Sequence, residues 1–198
     1  NPLGDAAEYA YIRYIRVEFD VPAGGDYVYL DEVRAMGKLG ECSTAGMPYV
    51  TDETGARNVA IGSSYTYNPE TIESNFVNSY EDAAMTRLTD GIHGGASFSD
   101  GTWVGFNRGD FADTSDLRRT QKSLRSIIVD LEDLKTIKSI TFGNIVHAAS
   151  GISSAPNFNI YVSVDGDKWL QVSRSTSVGK TVPDGVYTYG WRNENVSA

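Results

Sequence analysis

The chain has 198 residues and a formal net charge of −9, so it is long enough for one large β domain or two small ones. A chain of this size buries roughly 70% of its unfolded surface. The sequence pI near 4.7 argues against nucleic acid and anionic membrane surfaces as partners. Cys42 is the only cysteine, which excludes an intrachain disulfide and a cysteine-based zinc site. No apolar run reaches about 18 residues, so membrane insertion is not expected.

The first clear elements are two strands within residues 12–36, which we expect to form a hairpin around a glycine-rich turn. Apolar and acidic residues alternate up to Pro22, which ends the first strand because it cannot donate to a β-ladder. Residues 38–57 have no hydrophobic period and many small side chains, which indicates a linker. A short apolar strand is predicted at 58–62.

The rest of the chain predicts short strands separated by polar loops and no helix longer than about two turns. Alternation is cleanest at 158–164, and an Asp-Gly turn at 165–168 follows it. Such a pattern is typical of an all-β fold, here a jelly-roll β-sandwich. The predicted strands lie at 101–106, 126–131, 135–142, 158–164, 169–172 and 185–192.

Short sequence signals follow one another in a fixed order after residue 58. They are Asn-Val-Ala-Ile-Gly-Ser at 58–63, Leu-Thr-Asp-Gly at 88–91, Thr-Trp-Val-Gly-Phe at 102–106, Ile-Val-Asp-Leu at 128–131, Ile-Lys-Ser-Ile-Thr-Phe at 137–142, and a strand, Asp-Gly turn and Trp at 160–169. Their order resembles the discoidin, or coagulation factor type C, family, which includes galactose-binding-like carbohydrate modules of bacteria. The resemblance implies a galactose-binding-domain-like sandwich.

The segment at 12–36 is similar to the closing strands of that family, although here it opens the chain. One interpretation is a single, circularly permuted sandwich over 1–198, with closing hairpin 12–36, the linker, and a main body at 58–198. The alternative makes 1–45 the end of one module and 58–198 the start of the next. In the single sandwich, the opening strands should pair with strands of the segment 126–172, because an isolated hairpin is marginal in water.

The resemblance implies a non-catalytic carbohydrate-binding module of a larger secreted or cell-surface bacterial protein. Its partners would be a glycan or polysaccharide and the other domains of that protein. The alternative is a structural or adhesive spacer that binds protein. A small hydrolase is a third hypothesis, but no Gly-x-Ser-x-Gly, His-Glu-x-x-His or phosphate-loop pattern occurs, and no catalytic residue is predicted.

A structural Ca²⁺ is the expected cofactor, by the same resemblance. Members of the family hold calcium with an Asp-Gly loop and a glutamate five residues before a glycine, and Asp90 and Glu32 stand at those places. Calcium takes six to eight oxygen ligands, so carbonyl oxygens from the 88–102 loops would complete the site. The alternative is that Asp90 only shapes a turn and Glu32 pairs with an arginine.

The expected ligand site is the loop end that carries His147, with His93 and the 63–80 loop nearby. A neutral imidazole can exchange hydrogen bonds with sugar hydroxyls, and the residues at 148–151 are small enough to leave room for a ring. The alternative reading of His147 is an ordinary surface-loop histidine.

A second candidate cleft is the aromatic tail, formed by Trp191, Tyr187 and Tyr189. Arg108 is a further candidate ligand residue; it opens an Arg-Gly-Asp tripeptide, a short pattern that is common by chance. Trp103 and Trp169 lie within strand patterns and are expected to fill the core rather than to stack on sugars.

Overall fold

The computed structural model describes residues 11–22, 27–38, 56–68, 82–107, 124–155, 157–176 and 182–192. Over these residues the protein is all-β, as the alternating apolar pattern predicts. Two single-turn 3₁₀ helices, Arg87–Thr89 and Ala148–Ser150, interrupt the strands. The strands are β1 Tyr11–Asp20, β2 Tyr27–Lys38, β3 Arg57–Asn58, β4 Ser64–Asn68, β5 Val104–Asn107, β6 Leu124–Val146, β7 Ile152–Ser153, β8 Asn157–Ser163, β9 Leu170–Thr176 and β10 Gly185–Arg192.

The long strand β6 organises the fold. Its first part, up to Asp130, pairs antiparallel with β1 on one side and β4 on the other, and the start of β1 also pairs with Lys135 and Thr136. Its later part pairs with β2 on one side and β10 on the other. Two separate strands were expected here, and the structure corrects this. The chain continues through an irregularity at Glu132, which has a φ of +69° and donates its amide to Asp130.

The pairings give two branches that share β6. One branch runs in the order β4, β6, β1, β8 and β9, and the other joins β10, β6 and β2, with β3, β5 and β7 also paired to β2. Aromatic contacts join the branches: the ring centroids of Phe19 and Phe106 are 5.1 Å apart, and those of Phe142 and Phe158 are 5.2 Å apart. The arrangement is sandwich-like, with the apolar faces of both branches turned towards each other.

The two opening strands do not form the expected hairpin. β1 pairs with β6 and β8, whereas β2 pairs with β3, β5, β6 and β7, and no ladder joins β1 to β2. The reason is that β6 offers a different segment to each strand, for example Ile127 opposite Val17 and Ile140 opposite Ala35. Both opening strands therefore belong to the same sheet system as β6 and β8.

Alternation along the strands places one face of each in the core. The main cluster includes Val17, Leu30 and Ile160, all fully buried. A smaller cluster of Tyr29, Trp103, Ile145 and Ile152 lies apart from it, with Tyr27 and Phe98 packed at its edge. Trp103 is buried as expected. Trp169 is only half-buried and belongs to neither cluster.

The expected linker lies mostly outside the described residues; its last part supplies β3, which pairs with Met36 and Gly37 of β2. The short strand predicted at 58–62 is wrong beyond Asn58. Residues 59–62 form a turn, in which Val59 and Ala60 are buried against the core. No helix among the described residues is long and apolar enough to cross a bilayer.

Candidate functional site

Two adjacent carboxylates, Asp31 and Glu32, are buried in the middle of β2. Only 1% of Asp31 and 0% of Glu32 is exposed. In a regular strand, neighbouring side chains point to opposite faces. Here the register with β6 shifts between Leu30 and Val33, and such irregularities re-aim side chains. Both carboxylates are therefore directed into hydrogen bonds inside the protein.

Asp31 anchors the loop that precedes β5. Its Oδ2 accepts hydrogen bonds from the Gly94 amide at 2.9 Å and lies 3.3 Å from His93 Nδ1, while its Oδ1 accepts from the Gly143 amide at 2.8 Å. A side chain at Gly143 would collide with the Asp31 carboxylate. Glycine at this position of β6 is thus what lets the carboxylate approach the backbone.

Glu32 joins β2 to the Asp-Gly loop. Its Oε2 accepts from the Gly91 amide and its Oε1 from Asn58 Nδ2, both at 2.9 Å. Burial raises the pKa of Glu32 to about 8, and the neighbouring carboxylates Asp90 and Asp31 add to the rise, against the lowering effect of the two hydrogen bonds. No arginine pairs with Glu32 among the described residues, so the alternative of an arginine partner finds no support there.

Asp90 is exposed, and its Oδ1 accepts a hydrogen bond from the Ile92 amide at 2.8 Å. This hydrogen bond shapes the turn, which is the role that the alternative interpretation assigns to Asp90. The amide of Gly91, the next residue in this loop, donates a hydrogen bond to Glu32. The structure thus brings the loop of Asp90 to Glu32, the other residue expected to bind calcium. Within the described ranges, no group of three or more His, Cys, Asp or Glu side chains is arranged to hold a metal ion.

The loop from Gly91 to Trp103 is held by internal hydrogen bonds. Trp103 donates its indole N–H to the Ser97 carbonyl at 3.1 Å, and a Cβ at Gly94 would enter the Trp103 ring. Asp100 accepts from the amides of Gly95 and Thr102, both at 3.0 Å. These bonds give a defined shape to the loop, which contains Phe98.

His147 meets this loop through Phe98. The two ring centroids are 4.9 Å apart, with 52° between the ring planes. His147 is half-buried, and its Nδ1 is enclosed without a hydrogen-bond partner.

The backbone after His147 turns sharply and stays close to the sheet. His147 and Ile152 form a two-residue bridge around the turn at Ala148–Ser150, and Gly151 has a φ of +69°. Ala148 and Ala149 are exposed, as the small-residue pattern predicts for the space beside His147. Asp184, just before β10, accepts a hydrogen bond from the Ala148 amide at 2.9 Å.

His93 and His147 are not in contact but belong to the same loop end. His93 is exposed and tied to Asp31, whereas Phe98, five residues further along the loop, touches His147. The loop at 63–80 was expected to lie near His147. Its first residues, 64–68, form β4. Residues 69–80 and Arg108 lie outside the described residues.

Residues of the aromatic tail pack partly against the core, and Tyr189 and Trp191 also line a groove of about 380 Å³ on β6 and β10. Tyr189 and Trp191 are half-buried and pack against the main core, Tyr189 with its ring centroid 5.8 Å from that of Phe142. Tyr187 stacks on Tyr189 and donates its hydroxyl to the Pro183 carbonyl at 2.8 Å. Tyr187, Tyr189 and Trp191 are therefore only partly exposed, because alternate residues of β10 face the sandwich interior.

Two contributors to this site were not identified from the sequence. Asp31 is adjacent to Glu32, but two consecutive buried carboxylates violate strand alternation, so the pattern gave no signal. Phe98 stands alone among serine, glycine and aspartate residues; a single aromatic residue in a polar loop was the available signal.

Comparison with known proteins provides no relative. No protein-family model matches this chain, and no curated protein or solved structure is significantly similar to it.

Proposed function

We propose that this chain is a non-catalytic carbohydrate-binding module with a jelly-roll, galactose-binding-like sandwich. It would serve a larger protein that is secreted or displayed on a bacterial cell surface, and it would bind a glycan or polysaccharide. The observation that carries the proposal is the contact of His147 with Phe98 at the loop end, where a half-buried imidazole with an unpartnered ring nitrogen lies beside an aromatic ring.

The chemistry of this pair suits a sugar. A pyranose ring has an apolar face that packs on an aromatic side chain and hydroxyls that need hydrogen-bond partners. Phe98 is half-buried, so its remaining surface is available at low ordering cost. His147 Nε2 can donate to or accept from a hydroxyl, depending on its tautomer. The exposed alanines after His147 leave space for the ring, and affinity should be weak because a small ligand buries little apolar area.

Calcium is proposed as a structural cofactor at Asp90 and Glu32. The buried Glu32 carboxylate has two acidic neighbours and no cationic partner among the described residues, and its oxygens are the ligand type that calcium prefers. Its two hydrogen bonds leave acceptor capacity on both oxygens. Since no group of three or more His, Cys, Asp or Glu side chains in the described ranges is arranged to hold a metal ion, main-chain carbonyls would supply most of the remaining ligands.

The test of sugar binding is a glycan array followed by calorimetric titration of the best neutral ligand, with galactose and its oligosaccharides included. His147→Ala and Phe98→Ala should each weaken binding by about tenfold, or about 1.4 kcal/mol, with unchanged melting temperature for His147→Ala. Leu134→Ala is the control that should leave affinity unchanged, since it truncates an exposed apolar side chain of β6 outside this loop end. Affinity unchanged in both His147→Ala and Phe98→Ala, or an array without binders, would exclude the proposed site.

The alternative, an adhesive spacer that binds protein, is favoured by one observation on the outer face of β1 and β8. The Arg16 guanidinium lies 4.4 Å from the Tyr161 ring centroid and 4.6 Å from that of Trp169. Arginine, tyrosine and tryptophan are the residues most enriched at binding hot spots. This function predicts a glycan array without ligands and loss of attachment to a partner protein in Trp169→Ala.

A further inference from the structure

β6 and β10 carry a groove of about 380 Å³, whose lining includes Tyr189 and Trp191. Tyr189 and Trp191 of β10 pack inward, so Thr188 and Arg192 point outward by strand alternation. Lys138, Ser139 and Thr141 of β6 and Gly190 of β10 are among the other lining residues. The volume is at the small end of ligand pockets, which range over roughly 300–1,000 Å³.

The register of the strands explains why cations gather here. Gly190, Thr141 and Arg34 lie side by side in one row across β10, β6 and β2, and Arg192, Ser139 and Met36 form the next row. The pairing of β2 with β6 shifts between Met36 and Gly37, which leaves Lys138 as an extra residue on β6. A bulge of this kind turns the additional side chain towards the same face as its neighbour.

Some cations elsewhere in the described part of the chain are paired with carboxylates. Arg13 pairs with Asp130 at 2.9 Å and Lys135 with Asp133 at 3.5 Å. By contrast, Lys138 and Arg192 have no carboxylate partner among the described residues, and the groove lining contains no aspartate or glutamate. Lys138 is only 7% exposed. A lysine with so little exposed surface gains from an opposite charge close to its ammonium, and an anionic ligand in the groove would supply one.

We infer that the groove binds the anionic group of an acidic saccharide, a carboxylate or a sulfate ester, through Lys138 and Arg192. The hydroxyls of Ser139, Thr141 and Thr188 line the same groove and match the hydroxyls of a sugar ring. The inference rests on the proposed function in one respect only, namely that the ligand is a saccharide. Because the chain as a whole carries a charge of −9, its overall field disfavours such ligands, and binding has to depend on these local cations.

The experiment titrates trigalacturonic acid and a κ-carrageenan tetrasaccharide, with the methyl ester of the first and the desulfated form of the second as neutral counterparts. At least one acidic ligand should bind more tightly than its own neutral counterpart. The ligand that does so identifies the anionic group, a carboxylate or a sulfate ester. Lys138→Met and Arg192→Gln should each weaken binding of the acidic form by about tenfold. Added salt should weaken it as well, because partly exposed ion pairs are screened.

Lys168→Met is the matched control. Lys168 is exposed in the turn between β8 and β9, so this variant makes the same change in net charge without touching the groove. An equal loss of affinity in Lys168→Met would mean that overall charge, not the groove, determines binding, and would overturn the inference. So would unchanged affinity in Arg192→Gln, an exposed substitution that leaves the fold undisturbed even where Lys138→Met lowers stability.

Amide chemical-shift mapping separates this site from the one proposed at His147. Shifts caused by the acidic ligand should concentrate at 138–141 and 188–192. Shifts confined to the turn at Ala148–Ser150, or no saturable binding of either acidic ligand, would overturn the inference. Binding of the neutral galactose ligand that is lost in His147→Ala but retained in Lys138→Met would support the proposed function independently of the groove.

Discussion

The stability of this protein should fall as pH rises from about 5 to 9 in the absence of divalent metal, and Glu32 should be the cause. Glu32 is fully buried, and its pKa is raised from 4.5 to about 8. The folded state therefore holds a proton on this group over a range in which the unfolded chain has released it. Stability from the protonated form is fully present below about pH 4.5 and is lost as pH rises through about 8.

The magnitude follows from the size of the shift. A difference between 4.5 and about 8 corresponds to about 5 kcal/mol when both states have fully ionised. This is an upper limit, since water penetration around an ionised Glu32 would reduce it. Over a pH range from 6 to 8, the expected loss is about 1–3 kcal/mol, which is large compared with the total stability of a typical domain.

The assay is urea unfolding in EDTA at several pH values for the wild type and Glu32→Gln. Glutamine does not titrate, so the difference between the two free energies of unfolding isolates this carboxyl group from the histidines. Glutamine also places an amide against one of the two donors, Gly91 N–H or Asn58 Nδ2, and this costs a constant amount of about 1–3 kcal/mol. Asp167→Asn, which changes an exposed carboxylate, should keep the wild-type slope.

Calcium changes the expected result in a defined way. A bound cation would hold Glu32 in its ionised form, so the pH slope of the wild type should flatten in calcium, and the melting temperature should rise. Calcium binding at pH 7 should release about 0.9 proton per ion, measured by calorimetry in buffers of different ionisation enthalpy. A wild-type-minus-variant difference that is flat or rising between pH 6 and 9 in EDTA would refute the reasoning about Glu32.

Two further predictions concern packing. Gly94→Ala should destabilise the fold by about 1–3 kcal/mol, because its Cβ would enter the Trp103 ring, whereas Gly95→Ala, facing only a movable carboxylate, should cost about 0.5 kcal/mol or less. Equal costs in urea unfolding would contradict the packing described for this loop. Trp191→Ala should cost roughly 2–3 kcal/mol because Trp191 packs on the main core, while the neighbouring Thr188→Ala should be nearly neutral. A fully stable Trp191→Ala would place that indole in solvent.

Much of the candidate site could not have been predicted from the sequence, for a physical reason. The two residues proposed for calcium are 58 positions apart, and the resemblance, not the spacing, suggested that they meet. The contact of Phe98 with His147 depends on the path of a loop that is held by Asp31, Trp103 and Asp100. No local pattern encodes the anchor of this loop, because the hydrogen bond from Gly94 to Asp31 joins residues that are 63 positions apart in the chain.

The all-β class and the positions of several strands were determined by the sequence itself, because period-two alternation is a local property of a half-buried strand. Residues 158–164 and 185–192 are predicted as strands on this basis, and β8 and β10 lie there. Strand pairing was decided only by the tertiary structure. Whether β1 pairs with β2 or both pair with β6 depends on which apolar faces fit together, and the same is true of the bulges that bury Asp31 and turn Lys138 outward. A shift of one residue in register moves a side chain to the opposite face, and the partner strand, not the residue's own neighbours, sets that register.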